Sequence, residues 1–281
     1  SKNVTRAKAM LLRGAVLLAV LVGLMSWTQP AVAQINVTTQ HYDNSRTGQN
    51  TQETILKPSN VNTTQFGKLF SVTVDGYVYA QPLYMFHVNV GGVFHNVVYV
   101  ATEHDSVYAF DADNGNLLWH VSYINPGAGI TTVSPTDVGA PFDLIPEIGI
   151  TGTPVIDPVS GTLYVVVKTK ENGTFVQRLH ALNISTGADK SGSPVVITGS
   201  VPGTGDGSVS GTLAFDAMRE SNRPALLLQN GHVIIAWASH EDASPFHGWV
   251  MSYNAATLAR EAVYSNTPNG GLGGIWMSGS G

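Results

Sequence analysis

No cysteine occurs in the 281 residues. That excludes disulfides, thiolate metal centres, a cysteine nucleophile and a lipid-modified cysteine behind an export signal. A hydrophobic core must hold the chain together, and its length is sufficient to build one. Long apolar runs are also missing. The longest, Gly14 to Met25, falls short of the roughly 20 residues needed to span a bilayer. No sustained 3.6-residue apolar stripe follows it, which argues against a helical bundle. Positive charge is scarce: 14 Lys and Arg stand against 19 Asp and Glu, for a net charge of −5. Four of the basic residues (Lys2, Arg6, Lys8, Arg13) lie in the first 33 residues, where there is no acid, so the remainder carries −9. A nucleic-acid binder needs a basic face, and none is offered. The glycine-rich run Pro202-Gly203-Thr204-Gly205-Asp206-Gly207 lacks a following Gly-Lys-Ser/Thr and is no P-loop. Its single acid is weak support for a Ca²⁺ loop.

The beginning of the chain has the order basic, apolar, small: the four cations, the run to Met25, then Ala31-Val32-Ala33 before Gln34. This is the order of a secretory signal, and cleavage is expected near Ala33. Secretion or a periplasmic location follows, with no transmembrane segment left after cleavage. Sequons at Asn36, Asn62, Asn172 and Asn183 matter only in a eukaryotic secretory path.

Three later segments share one plan. Pro82, Pro154 and Pro224 recur at spacings of 72 and 70, and Asp111, Asn183 and Asn254 at 72 and 71. Each unit reads as short strands rich in β-branched and aromatic residues, separated by turn chemistry such as Asp111-Ala-Asp-Asn-Gly115 and Ser185-Thr-Gly187. Four short strands in a repeating unit describe a propeller blade. A sandwich leaves the period unexplained, and solenoid coils are shorter.

One segment carries a resemblance. Ala109, Asp111, Gly115 and Trp119 match the docking motif of the PQQ-like (pyrroloquinoline quinone) repeat superfamily, with Asn114 replacing its Thr. The second copy keeps Ala181, Thr186 and Gly187, has Asn183 for Asp and lacks the Trp; the third keeps only Asn254 and Thr257 loosely. The resemblance implies that the Trp packs on the next blade while the Asp ties down its turn. It also implies a superfamily that holds both dehydrogenases and non-enzymatic assembly scaffolds.

The expected fold is an all-β propeller with four-stranded antiparallel blades, about three of them present and the ring incomplete. Residues 1–33 are assigned to the signal, 34–65 to an extended segment and 66–281 to the partial propeller. Its blades fall near 66–123, 150–199 and 222–265, and a fourth starts from Gly273-Gly274-Ile275-Trp276. Both termini read as cuts, so a longer parent is expected, and association through two open blade faces with it.

In a propeller the D-to-A and B-to-C connections share one face. Here that face receives nearly all the extra residues, and long loops on a rigid scaffold are where binding residues concentrate. The candidate binding residues there are Glu103, His104, Asp105, Glu147, His240, Asp242 and His247. His240, Asp242 and His247 have metal-ligand chemistry but match no closed site. Glu103-His104-Asp105 reads as an acid/base cluster or as a β-turn. Glu147 precedes an inner strand and would face the channel. Trp237, Trp249 and Trp276 would stack on a sugar or a quinone, or pack the core.

No catalytic residue is assigned and no cofactor is expected. The functional expectation is an exported, non-catalytic binding or scaffold propeller for a protein, glycan or small ligand. The alternative implied by the resemblance is a fragment of a quinoprotein dehydrogenase, which would bring PQQ and Ca²⁺; no Ca²⁺ ligand set carries over residue by residue.

Overall fold

The computed structural model describes residues 35–276. The expected signal sequence and the residues beyond Trp276 lie outside that range. Apart from one short 3-10 turn at Pro126–Ala128, the described elements are strands, and no described helix is long and apolar enough to cross a membrane.

The first sheet comprises β1 (Leu83–Val90), β2 (Val93–Ala101), β3 (Ser106–Asp111) and β4 (Leu117–Ser122), hydrogen-bonded in chain order. A two-residue strand, β5 (Ile130–Thr131), follows. The second sheet runs β6 (Val155–Asp157), β7 (Thr162–Glu171), β8 (Thr174–Asn183) and β9 (Val195–Val196), with β5 pairing the far end of β7. A separate ribbon, β10 (Ser200–Pro202) and β11 (Thr212–Ala214), precedes the third sheet. That sheet comprises β12 (Leu227–Gln229), β13 (His232–Trp237), β14 (Trp249–Asn254) and β15 (Arg260–Ser265), again in chain order. All pairings are antiparallel. These are three successive blades of a β-propeller, in an arc that does not close.

Alternation explains how blades stack. Along a strand, successive side chains point to opposite faces, and both faces of a middle blade must be apolar. Strand β7 is accordingly buried throughout Thr162–Thr169. Its Leu163, Val165 and Val167 pack with Val97, Tyr99, Ala101 and Trp119 of the first blade. Its Tyr164 and Val166 pack with Val233, Ile235, Trp249 and Met251 of the third.

The repeat is clearest at the turn between the third and fourth strands. In the three blades, Asp111, Asn183 and Asn254 donate their N–H to the carbonyls of Asn116, Ala188 and Ala259 at 2.8, 2.9 and 2.9 Å. Each also accepts, on its side-chain oxygen, the N–H two residues on (Asp113, Ser185, Ala256) at 2.9, 2.8 and 3.0 Å. The fifth turn residue, Gly115, Gly187 or Leu258, is left-handed, with φ of 79, 72 and 56°.

Two boundaries differ from the sequence expectation. Residues 66–79 form no strand, and β1 starts at Leu83 rather than around Tyr79. The second-to-third-strand connection of the middle blade is not a loop over 168–174. The strands continue to Glu171 and restart at Thr174, because Asn172-Gly173 supplies two positive φ values (48 and 88°) for a two-residue hairpin.

A strap, residues 35–46, runs past the innermost strand of every blade. Val37 bridges Tyr84, Thr38 O accepts from Ile156 N at 2.8 Å, and Asn44 Nδ2 and Arg46 Nη2 donate to Leu228 O and Leu226 O at 3.0 and 3.2 Å. It thereby partners backbone groups on the inner edges.

Candidate functional site

The loop-rich face is stitched together beneath its surface. Residues 124–149 fold over their own small core of Val133, Val138, Ala140, Leu144 and Ile148, joined by Phe175 and Met218. Lys170 donates to both oxygens of Asp137 at 2.8 and 2.9 Å. Arg219 donates to Val138 O at 2.9 Å. Contributions from three connections therefore fix one loop.

A chain of buried polar groups lies at its base. His240 is buried, with Nδ1 3.0 Å from Asp143 Oδ2 and Nε2 2.8 Å from Lys168 Nζ. Burial, reinforced by the neighbouring Lys168, pushes the His240 pKa down to about 4. The ring is then neutral at pH 7; its Nδ1–H donates to Asp143 and Nε2 accepts from Lys168. Lys168 also donates to Met218 O at 2.8 Å, and burial lowers it to about 7. Glu220 accepts from the indole N–H of Trp249 at 3.2 Å and from His247 N at 3.2 Å, yet burial pushes it up to about 8.

A second buried pair sits between the first and second blades. Glu103 Oε2 accepts from Gly149 N at 2.8 Å and from Thr151 Oγ1 at 3.1 Å, while its Oε1 has no partner. Burial raises it to about 7. Asp105 has no well-formed hydrogen bond on either oxygen; burial and then the Glu103 charge hold its pKa well above the usual carboxylate range, and the Lys168 N–H offsets only part of this.

Of the seven residues picked from sequence, Glu103, Asp105, His240 and His247 are buried. His104 and Glu147 do come together, Nδ1 to Oε1 at 2.9 Å, and Thr132 Oγ1 donates to Glu147 Oε2 at 2.9 Å. His240, Asp242 and His247 are not brought to one point. Asp242 is exposed and accepts from Ser239 Oγ at 2.7 Å. His247 reaches Asp206 O at 2.8 Å and Thr267 Oγ1 at 3.0 Å. Among the described residues no three acids or histidines converge on a metal position. Sequence reading passed over Lys168, Glu220 and Asp143. Lys168 carried one available signal, a charged residue inside a strongly apolar strand.

Trp237 and Trp249 are fully buried, facing each other across β13 and β14, and Phe215 meets both edge-on. Their N–H groups are bonded internally, to Gln177 Oε1 at 2.8 Å and to Glu220 Oε1. Neither offers a free ring face; Trp276, the third tryptophan singled out from the sequence, is 44% exposed.

Two large apolar side chains stand exposed on this face beside polar ones such as Asp242. Phe142 is 82% exposed and Ile145 49%. They flank Asp143 and Leu144, which anchor the loop from below.

No protein-family model matches the chain, and no curated protein matches it in sequence. Similar solved structures include a quinohemoprotein alcohol dehydrogenase from Comamonas testosteroni (17% identity, 84% of this chain and 28% of that one, TM-score 0.48). Another is a quinohemoprotein alcohol dehydrogenase from Pseudomonas putida HK5 (18%, 69% and 21%, TM-score 0.41). BamB from Moraxella catarrhalis is also similar (15%, 59% and 37%, TM-score 0.31). The chain spans well under two thirds of the length of each. The propeller assignment rests on the three blades and the seams between them.

Proposed function

We propose that the protein is an exported, non-catalytic β-propeller that offers its loop-rich face to a protein partner. One observation carries this reading: Phe142 and Ile145 stand exposed on a loop that is locked from below by Asp143–His240, Asp137–Lys170 and its own apolar core. A rigid, exposed aromatic anchor loses little conformational entropy on binding and is the usual centre of a protein interface. The export reading is supported by the basic, apolar, small order of the first 33 residues.

A photo-crosslinking residue at position 142, introduced in the producing cell, should yield one discrete protein adduct. The same residue at Val159, which is 94% exposed on the tight-turn face, should not. Phe142→Asp should abolish binding of the captured partner. No adduct from position 142, or the same adduct from both positions, would sink the proposal.

One observation favours the quinoprotein dehydrogenase alternative, the cluster of buried groups with displaced pKa values, since such clusters mark active sites. Dye-linked alcohol oxidation with added PQQ and Ca²⁺ separates the two. The binding reading expects no turnover, and saturable turnover would replace it with the enzyme.

A further inference from the structure

The two blade seams are built to one register but are filled differently. Between the first and second blades, Trp119 lies flush on the turn of the next blade. A Cβ at Gly187 would come within 2.6 Å of its ring. Its Nε1–H donates to Ile184 O at 3.0 Å, and Tyr99 OH donates to the same carbonyl at 3.0 Å. One carbonyl thus satisfies two donors, one per lone pair.

Counting along the shared turn, Trp119 is eight residues after Asp111, and Ser191 is eight after Asn183. Tyr99 corresponds to Tyr164 and Ile184 to Ala255 by the same register. At the second seam the tyrosine bond survives, with Tyr164 OH donating to Ala255 O at 2.7 Å. The indole does not, since Ser191 stands in its place. Leu258, at the position of Gly187, turns a side chain into the deep end of the space and is itself buried. A pocket of about 530 Å³ remains, lined among others by Tyr164, Lys190, Ser191, Ala255, Ala256 and Leu258. That is within the roughly 300–1,000 Å³ range of small-ligand sites.

The charged groups in its wall are already engaged. Lys190 Nζ donates to Ser160 O and Thr162 Oγ1, both at 2.6 Å. His232 pairs with Glu261 at 2.6 Å, and Asp157 accepts from Ser160 Oγ at 2.6 Å. The wall therefore calls for no ligand charge. What it leaves unused is the apolar part of its mixed lining, Ala181, Ala255, Ala256 and the largely buried Tyr164 and Leu258, together with one lone pair on Ala255 O.

We propose that this seam pocket, on the face opposite the loop platform and independent of it, binds a neutral, planar fused-ring aromatic whose ring N–H donates to Ala255 O, an indole being the simplest such group. The indole can come free or as a tryptophan side chain. Calorimetric titration of the full chain with indole should show saturable one-site binding. 1-Methylindole, without the donor, should bind about fivefold or more weakly, the loss of one hydrogen bond of ~1 kcal/mol. N-Acetyltryptophanamide binding as well as indole assigns the pocket to a tryptophan side chain; binding by indole alone assigns it to a free heteroaromatic. The paired substitution Ser191→Trp with Leu258→Gly rebuilds the first seam's filling and should abolish indole binding. Should that variant not fold, methyl labelling of the unaltered chain decides: indole should show contacts to the Leu258 methyls and the Tyr164 ring. Absence of saturable binding, undiminished binding in the folded paired variant, or contacts confined to other residues would overturn the proposal. Equal affinity for 1-methylindole would overturn the carbonyl anchor.

Discussion

The first and second blade seams are built on turns of the same backbone geometry and share the tyrosine-to-carbonyl tie, yet one is closed by Trp119 over a glycine and the other by Leu258 beside a serine. The difference shows that the turn geometry and the filling of the seam are separable. The turn is specified by Asp or Asn at its start and a left-handed residue at its fifth position. The filling then comes from whichever blade supplies the bulk. With Trp119 supplied from behind, the turn must have glycine. With Ser191 behind, the turn itself can carry a leucine, although a left-handed φ costs such a residue about 1 kcal/mol or more.

Exchanging the fillings should break this arrangement most severely. Gly187→Leu puts a side chain into the Trp119 ring at a φ of 72°, and the expected outcome is loss of cooperative unfolding in urea. Trp119→Ala should cost about 3–5 kcal/mol, the range for emptying a buried Trp site, read from the urea midpoint at unchanged slope. Leu258→Gly loses buried area but relieves the left-handed strain. It should cost less, about 2 kcal/mol, and a loss as large as that of Trp119→Ala would show that the second seam depends on its leucine equally.

The loop-face ends of the seams differ too. Glu103 and Asp105 close the first without a base, while Lys168 and His240 accompany Glu220 at the second. The folded pKa values of Glu103 and Glu220, about 7 and 8, lie above the ordinary carboxylate value near 4.5, and Asp105 is shifted in the same direction. Between pH 5 and 7 these groups hold protons in the folded state that the unfolded chain has released, so stability falls as pH rises. His240, depressed to about 4, acts in the opposite sense between 4 and 6.5 and offsets part of the loss. Lys168 adds stability only above about 7. Urea midpoints should therefore decline from pH 5 to 7. Glu220→Gln should flatten the decline by up to roughly 1.4 kcal/mol per pH unit, the limit for one proton. Phe142→Ser should be the mildest change, within about 0.5 kcal/mol, as for a side chain with no packing to lose.

The repeat made much of this fold readable. The 70–72-residue spacing of the prolines and of the Asp and Asn turn residues pointed to repeated antiparallel four-stranded sheets; Asp111 caps its turn, Gly115 is left-handed and Trp119 bonds to Ile184 O. Strand ends were less legible. The extent of β7 and β8 depends on the turn Asn172-Gly173 makes, and β1 begins late because residues 66–79 form no strand. The site was harder still. Nothing local distinguishes a solvated Glu103 from one sealed under Gly149, because burial is decided by a segment 46 residues away. The tyrosine ties of Tyr99 and Tyr164 were equally hidden, although both sit at matching register positions and could have been found by aligning the blades on Asp111, Asn183 and Asn254.

The strap over the inner strands has a consequence for the order of assembly. Residues 35–46 precede the three described blades in the chain, but the carbonyls that Arg46 and Asn44 grip belong to residues 180 and 184 positions later. Contacts so distant in the chain form late. This earlier segment is thus seated late, and its closure on Leu226 and Leu228 cannot precede the third blade. It acts as a latch whose engagement marks these three blades as assembled, and until then its polar backbone and the inner strand edges both stay open to water and to other chains.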